Sequence, residues 1–184
     1  GFPGGEGSPL RQTLGIWAEE IDALYDEERV HFVMQPDNQL SISGEFVVKH
    51  LLEHIHLEQA QALAYYSDDI FVNAPAVTKN SYGKGAAYYL SGRTDQEFNR
   101  LFYQALTNQL SIKKVIDTIP YGVSVTSRKT DQSEFVFVMN FLKTSSQIMI
   151  PNQTWINLFT QQEVQNQTIE LKPYEVLVFE KKSN

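Results

Sequence analysis

Residues 74–93 read Ala-Pro-Ala-Val-Thr-Lys-Asn-Ser-Tyr-Gly-Lys-Gly-Ala-Ala-Tyr-Tyr-Leu-Ser-Gly-Arg, and the fold of the chain can be worked out from this stretch. Two β-prone runs flank one tight turn. Pro75 opens the first run, where a missing amide donor is tolerated at a strand start. Gly83 and Gly85 can take positive φ in the turn. The pattern predicts a bulged hairpin that leads into a helix and carries no chemistry of its own.

The helix signal follows the hairpin directly. Thr94-Asp95-Gln96-Glu97 has the form of a capping box, in which Thr94 and Glu97 would satisfy each other's free amides. Apolar residues then recur at helical spacing on one face, namely Phe98, Leu101, Phe102, Ala105 and Leu106. We therefore expect an amphipathic helix over residues 94–110 that packs on the hairpin.

Upstream of the hairpin the punctuation predicts one short helix and several strands. Ser8-Pro9 is typical of an N-cap and first helical residue, and Gly15 of a stop, so a helix is expected over residues 8–14. Strands are predicted over residues 16–24, 30–34 and 40–44. Residues 46–66 fit either a helix or two strands joined around residues 57–59.

Downstream of Ile112 the helical periodicity stops. Six short strand candidates follow at turn-punctuated spacing, over residues 122–128, 134–140, 147–150, 155–159, 168–171 and 174–180. The pattern predicts a small antiparallel β domain over residues 113–184, so that residues 1–112 form a separate first domain. The predicted fold class is α+β and β-rich.

The composition excludes several classes of protein. The 184 residues carry a net charge of −7 with no basic stripe, which argues against nucleic acid or an anionic membrane as a partner. No apolar run approaches the ~20 residues needed to cross a bilayer. The absence of cysteine excludes disulfides, thiolate metal sites and a cysteine nucleophile, and it is typical of a cytoplasmic protein.

The start of the chain, Gly1-Phe2-Pro3-Gly4-Gly5-Glu6-Gly7, has no initiator methionine, and we interpret the chain as a fragment. Its glycines lack the Gly-Lys-Ser/Thr ending of a phosphate-binding loop, so an ordinary loop is expected there.

Residues 50–54 form a His-x-x-Glu-His pattern that is the sharpest enzymatic hypothesis in the sequence. On one helix, His50 and His54 would bind zinc together, with Glu53 as general base and His56 as a third imidazole nearby. On a strand, residues four apart stand ~13 Å from each other, too far to share an ion. The zinc hydrolase is kept as an alternative function, while partly buried histidines are preferred, so no metal site and no cofactor is predicted.

Two further residue classes were weighed for carbohydrate chemistry. Carboxylates cluster as Glu19-Glu20-Asp22, Asp26-Glu27-Glu28 and Asp68-Asp69. A glycosidase needs two carboxyl groups facing one sugar, whereas neighbours on a strand point to opposite faces, so no catalytic residue is assigned. Trp17 and Trp155 suggest a sugar-stacking platform, which makes a carbohydrate-binding module another alternative; core packing is the preferred interpretation.

Several segments in order give the chain a recognisable family resemblance. They are residues 14–24 (Leu-Gly-Ile-Trp-Ala-Glu-Glu-Ile-Asp-Ala-Leu), Ile55-His56-Leu57-Glu58, Ala62-Leu63-Ala64-Tyr65-Tyr66, Pro75-Ala76-Val77-Thr78, Tyr82-Gly83-Lys84-Gly85 and Ala87-Tyr88-Tyr89. The match runs through nearly the whole chain and resembles the C-terminal part of bacterial β-galactosidases of glycoside hydrolase family 42.

The resemblance implies a fold and a role. Residues 1–112 would be the later part of a trimerisation domain of the glutamine-amidotransferase α/β type, and residues 113–184 the C-terminal β domain. The family's two catalytic glutamates lie in a (β/α)₈ barrel with no counterpart here, and the missing cysteine excludes amidotransferase chemistry.

The function implied is a non-catalytic segment that serves assembly and structure in a retaining enzyme acting on terminal β-galactosides. The implied partners are the rest of the parent chain, including the barrel, and further copies in a homotrimer.

Overall fold

The computed structural model describes residues 8–68 and 71–181, which divide into two compact units between Ile112 and Lys113. The described chain is β-rich and belongs to the α+β class, as predicted. The opening glycines, expected to form a loop, lie outside the described residues, as does Asp69 of the carboxylate pair Asp68-Asp69.

The described residues of the first unit form two helices and seven strands. The helices are α1 (Pro9–Leu14) and α2 (Gln96–Gln109). The strands are β1 (Ile16–Ala23), β2 (Val30–Met34), β3 (Glu45–Leu57), β4 (Gln61–Tyr66), β5 (Pro75–Tyr82), β6 (Gly85–Leu90) and β7 (Gly92–Thr94). They form one sheet in the order β1-β3-β2-β4-β5-β6, with β7 paired to β3, and every pairing is antiparallel.

The predicted helix at residues 8–14 is confirmed. The Ser8 hydroxyl accepts from the Leu10 amide, and Gly15 ends α1 in the left-handed region at φ 66°. The carbonyl of Gly15 then accepts three backbone amides from residues 58–60, at 2.9 to 3.0 Å. Gly15 therefore both ends α1 and holds the turn between β3 and β4.

The ambiguous segment at residues 46–66 forms two strands, β3 and β4. Phe46, Val48 and Leu52 are buried in the main core, whereas Ile55 packs with Ile16 and Ala18 in a separate small cluster. Successive strand residues point to opposite faces, so β3 buries apolar side chains on both faces and thereby imitates helical spacing. The helix alternative is wrong for this reason.

The strand predicted over residues 40–44 is wrong. Leu40 and Ile42 are buried, but their backbone groups form hydrogen bonds with the side chain of Asn38. Its amide donates to the Ile42 carbonyl at 2.7 Å, and its carbonyl oxygen accepts from the Leu40 and Ile42 amides at 3.2 and 3.3 Å. An asparagine that satisfies the backbone locally replaces the ladder of a strand.

The helix predicted over residues 94–110 is confirmed as α2, but its capping box is wrong. Asp95 is the N-cap: one carboxylate oxygen accepts from the Phe98 amide at 2.7 Å, and the other accepts from the Val47 amide at 3.0 Å. Thr94 belongs to β7 instead. The cap thus fastens α2 to β3, a long-range contact that a local capping pattern does not reveal.

The hairpin predicted at residues 74–93 forms β5 and β6, joined by the two-residue turn Gly83-Lys84. The register runs unbroken from the pair Val77 and Leu90 to the pair Tyr82 and Gly85, so the predicted bulge is wrong. As expected, α2 packs on this hairpin: the rings of Tyr88 and Phe102 lie 5.7 Å apart, edge to face.

The second unit consists of strands throughout its described elements. They are β8 (Val123–Lys129), β9 (Glu134–Asn140), β10 (Ser146–Met149), β11 (Trp155–Asn157), β12 (Glu163–Val164), β13 (Thr168–Leu171) and β14 (Val176–Lys181). Five of them form an antiparallel sheet in the order β12-β11-β14-β9-β8, and β10 pairs with β13. The six predicted strands are all present, two with the predicted bounds (residues 134–140 and 168–171) and four with shifted ends; β12 was not predicted.

The core of the second unit draws on both of its sheets. Val136, Val138 and Phe179 come from the larger sheet, and Ile148 and Leu171 from the smaller one. Alternation along β9 buries every second residue, which is the period of a strand that packs one face inward.

Candidate functional site

A β-bulge places an acidic side chain beside two histidines in the first unit. In the antiparallel register of β1 and β3, Ala18 pairs with Ile55 and Glu20 pairs with His54, so Glu19 is an extra residue on β1. His54 and His56 are two residues apart on β3 and share a face. Bulges redirect side chains in this way and are common next to functional sites.

Glu19, His54 and His56, called the imidazole cluster here, bring their polar atoms close together. Oε2 of Glu19 lies 2.6 Å from Nε2 of His56, and one ligand atom from each residue lies within 4.8 Å of the others. Trp17 stacks on the His56 ring at 4.5 Å with 15° between the planes, while the His54 ring is 6.3 Å from Phe71. Neighbouring rings thus orient both imidazoles.

The structure does not support the zinc hydrolase predicted at His50 and His54, because residues 50–54 are part of strand β3 and not of a helix. His50 has φ 67°, and its Nδ1 is 3.8 Å from a carboxylate oxygen of Asp26. His54 lies in the imidazole cluster instead. The pair that the sequence could have revealed is His54 and His56, whose i, i+2 spacing brings side chains together on a strand.

Glu53, the general base of that hypothesis, belongs to a tyrosine network. Its carboxylate accepts a hydrogen bond from the Tyr89 hydroxyl, and the Tyr66 hydroxyl lies 3.0 Å from that of Ser91. Burial raises the pKa of Tyr66 to about 12, and burial together with the Glu53 contact raises the pKa of Tyr89. Both phenols are therefore held in the neutral form, which suits a structural role.

Members of the three carboxylate runs contact bases. Glu19 meets His56, and a carboxylate oxygen of Asp68 lies 3.2 Å from Nδ1 of His31. Elsewhere in the first unit, the hydrogen bond from Arg11 lowers the pKa of Glu58. These contacts pair each carboxylate with a single base rather than presenting two carboxylates to one sugar.

The two tryptophans do not form a stacking platform. Trp155 is fully buried in the second unit, 5.6 Å from the ring of Phe179, which contradicts its predicted place in a sugar site. Trp17 is partly exposed, but one face of its ring is covered by His56. The core interpretation is therefore confirmed for Trp155.

Comparison with known proteins identifies the two units separately. The family described as β-galactosidase trimerisation domain matches residues 2–113, and the family described as β-galactosidase C-terminal domain matches residues 122–181. The chain belongs to the β-galactosidases of glycoside hydrolase family 42. The resemblance stated from the sequence is confirmed, and the region corresponds to the trimerisation and C-terminal domains of this family.

Individual relatives agree with this family assignment. The β-galactosidase Pbg of Clostridium perfringens is 37% identical over 99% of this chain, and BglY of Alicyclobacillus acidocaldarius is 35% identical over 98% of it. The chain spans 26% of the length of each.

Solved structures of β-galactosidases are also similar to this chain. The cold-adapted β-galactosidase of Rahnella sp. R3 matches 97% of this chain with a TM-score of 0.77 and 37% identity, and the match covers 26% of that protein. A catalytic mutant of Gan42B, a GH42 β-galactosidase from G. stearothermophilus, matches 94% of this chain with a TM-score of 0.76 and 34% identity, over 24% of its own length.

Neither helix of the described residues is long and apolar enough to cross a membrane.

Proposed function

We propose that this chain serves the assembly and architecture of a β-galactosidase that acts on terminal β-galactosides with retention, and that it contributes no catalytic residue of its own. The observation that carries the proposal is the pair of family matches. Together they span most of the chain and describe a trimerisation domain and a C-terminal domain. The remainder of a longer β-galactosidase chain is its proposed covalent partner, since the relatives are about four times as long.

Self-association is the second part of the proposal, with a trimer as the expected state. β1 and β6 end the order of the main sheet, and β1 is paired in the described residues with β3 alone. Ile21 on β1 is 40% exposed, and Tyr25 just beyond it is 78% exposed. A strand edge flanked by exposed apolar side chains favours pairing with a second copy.

The cytoplasm is the proposed compartment, supported by a sequence without cysteine.

Two measurements test the proposal. The purified 184-residue chain should leave a chromogenic β-galactoside unhydrolysed, and turnover that survives removal of contaminating enzyme would refute the non-catalytic assignment. Light scattering at tens of micromolar should give a mass above the 21.0 kDa monomer, and a monomer mass would refute self-association.

The β1 edge can be tested separately. Ile21→Lys introduces a charge at this edge and should lower the mass of the assembly. Val33→Lys is the matched control, because Val33 is 39% exposed on β2, a strand flanked by β3 and β4 within the sheet. An unchanged mass for Ile21→Lys would place the contact elsewhere.

A further inference from the structure

We propose that the imidazole cluster, Glu19, His54 and His56, binds a divalent transition-metal ion of the zinc type. The inference is separate from the proposed assembly role and concerns a site to which the family descriptions assign nothing. Two imidazoles and one carboxylate are a recognised ligand set for zinc, with the fourth position left to water.

The geometry needs only small adjustments. Ligand atoms of the three residues lie within 4.8 Å of one another. Ligands of one tetrahedral zinc ion are ~3.3 Å apart, because each lies ~2.0–2.2 Å from the metal. Side-chain rotations would open the 2.6 Å contact between Glu19 and His56 and draw His54 inward.

The backbone and the neighbouring rings hold the site in place. The bulge at Glu19 is a feature of paired strands rather than of a loop, and both histidines belong to the same strand. Trp17 packs flat on His56, so the plane of that ring is restrained before any ion arrives. Preorganised ligands of this kind lower the cost of binding.

The site is also reachable from solvent. The side chains of His56 and Glu19 are 43% and 54% exposed, which leaves room for an ion to enter and for a water ligand to complete its coordination. A bound ion would link β1 to β3 through side chains, in addition to their backbone pairing.

The chain supplies its own matched controls, because it has four histidines. His54 and His56 belong to the cluster. His31 and His50 each lie near one carboxylate, that of Asp68 and that of Asp26. These two pairs test whether one histidine beside one carboxylate is enough to bind zinc.

The experiment is a zinc titration of the full chain, prepared without a histidine tag and stripped with chelator, followed by calorimetry and metal analysis after dialysis. We expect one zinc ion per chain. His54→Ala and His56→Ala should each weaken binding by at least about tenfold, and His31→Ala and His50→Ala should leave it unchanged. Absence of stoichiometric zinc in the unmodified chain, or retention of zinc by the His54→Ala/His56→Ala variant, would overturn the proposal.

Glu19→Gln guards against a variant that fails to fold, since Glu19 is an exposed residue. It should also weaken zinc binding by about tenfold while the far-ultraviolet circular dichroism spectrum stays the same. Unchanged affinity in this variant would remove the carboxylate from the site and refute the three-ligand proposal.

Trp17 provides a spectroscopic readout that does not depend on activity. Because its ring stacks on His56, a copper(II) ion in the cluster should quench its fluorescence saturably, and only a large excess of zinc should reduce the quenching, since copper(II) binds such ligands more tightly than zinc. Trp17→Phe should abolish this quenching. Saturable quenching that persists in the His54→Ala/His56→Ala variant would count against binding in the cluster.

Discussion

The two units of this chain cover their sheets in different ways. In the first unit, helix α2 packs the ring of Phe98 onto the sheet. The centre of this ring lies 5.0 Å from that of Phe32 and 5.1 Å from that of Phe46. In the second unit, the described elements are all strands, and two sheets share one core around Trp155. The first core therefore depends on side chains from a helix, whereas the second core is formed mainly by side chains from strands.

The polar features divide in the same way. All four histidines lie in the first unit, together with the two tyrosines whose pKa is raised, the buried Tyr66 and the half-buried Tyr89. In the second unit, Lys181 lies 3.0 Å from Glu134 and lowers its pKa, although partial burial works in the opposite direction. The first unit therefore holds the residues of the proposed metal site, whereas the core of the second unit is formed by apolar packing.

The strongest test of the comparison is Phe98→Ala. This fully buried ring joins α2 to the sheet, and its loss should cost about 3–5 kcal/mol of unfolding free energy. Each unit contains one tryptophan, so urea denaturation followed by fluorescence can be assigned with single Trp→Phe variants: Trp17 reports the first unit and Trp155 the second.

The control is Tyr103→Ala on the same helix, since Tyr103 is 61% exposed and its loss should cost less than about 1 kcal/mol. A loss for Phe98→Ala that is as small as the control's would show that the helix does not stabilise the first core.

The second prediction concerns alkaline pH. Burial raises the pKa of Tyr66 from 10.0 to about 12. The contribution of the neutral phenol to the free energy of unfolding is therefore fully present below pH 10 and is lost as the pH rises towards 12. Stability of the first unit should fall across this window by roughly 2–3 kcal/mol from Tyr66 alone, and Tyr66→Phe should make the fall shallower. Urea midpoints measured between pH 9 and 12 would show this.

Tyr103→Phe controls for the loss of a phenol. An equally steep fall in Tyr66→Phe would assign the alkaline sensitivity to other groups, with Tyr89 the first candidate because its pKa is also raised.

The third prediction compares one glycine from each unit. Gly15 and Gly122 both have positive φ, at 66° and 74°. A methyl group at Gly15 would lie 2.7 Å from the backbone nitrogen of Ala60, whereas at Gly122 the three nearest atoms, at 2.4 to 2.8 Å, all belong to the side chain of Leu142, which can rotate. Gly15→Ala should therefore cost about 2–4 kcal/mol and Gly122→Ala about 1–2 kcal/mol. Equal costs in thermal denaturation would show that backbone crowding is not the deciding factor.

The smallest effect is expected from Thr78→Val. Among the described residues, the Thr78 hydroxyl is buried without a hydrogen-bond partner. Replacing it with a methyl group of similar size should stabilise the first unit by up to about 1 kcal/mol. Thr78→Ser keeps the hydroxyl and serves as the control. Destabilisation by Thr78→Val would mean that the hydroxyl has a partner, such as a bound water.

Local signals in the sequence predicted much of this fold. The cap and stop of α1, the hairpin and the apolar face of α2 depend on residues close in sequence, and all three are present. The capping box at Thr94 and the strand over residues 40–44 failed because Asp95 and Asn38 form hydrogen bonds that propensity does not weigh. The imidazole cluster was missed because its acidic member comes from another strand.

The sequence by itself determined the family, the two helices, the hairpin at residues 74–93 and the β-rich class, since these follow from turn residues, periodicity and ordered motifs along one chain. Only the tertiary structure decided that residues 45–66 are strands with apolar side chains on both faces, and that Glu19 meets His54 and His56. The physical reason is the bulge in β1. One extra residue changes which side chains face each other across two strands, and that register is set by pairing between segments more than thirty residues apart.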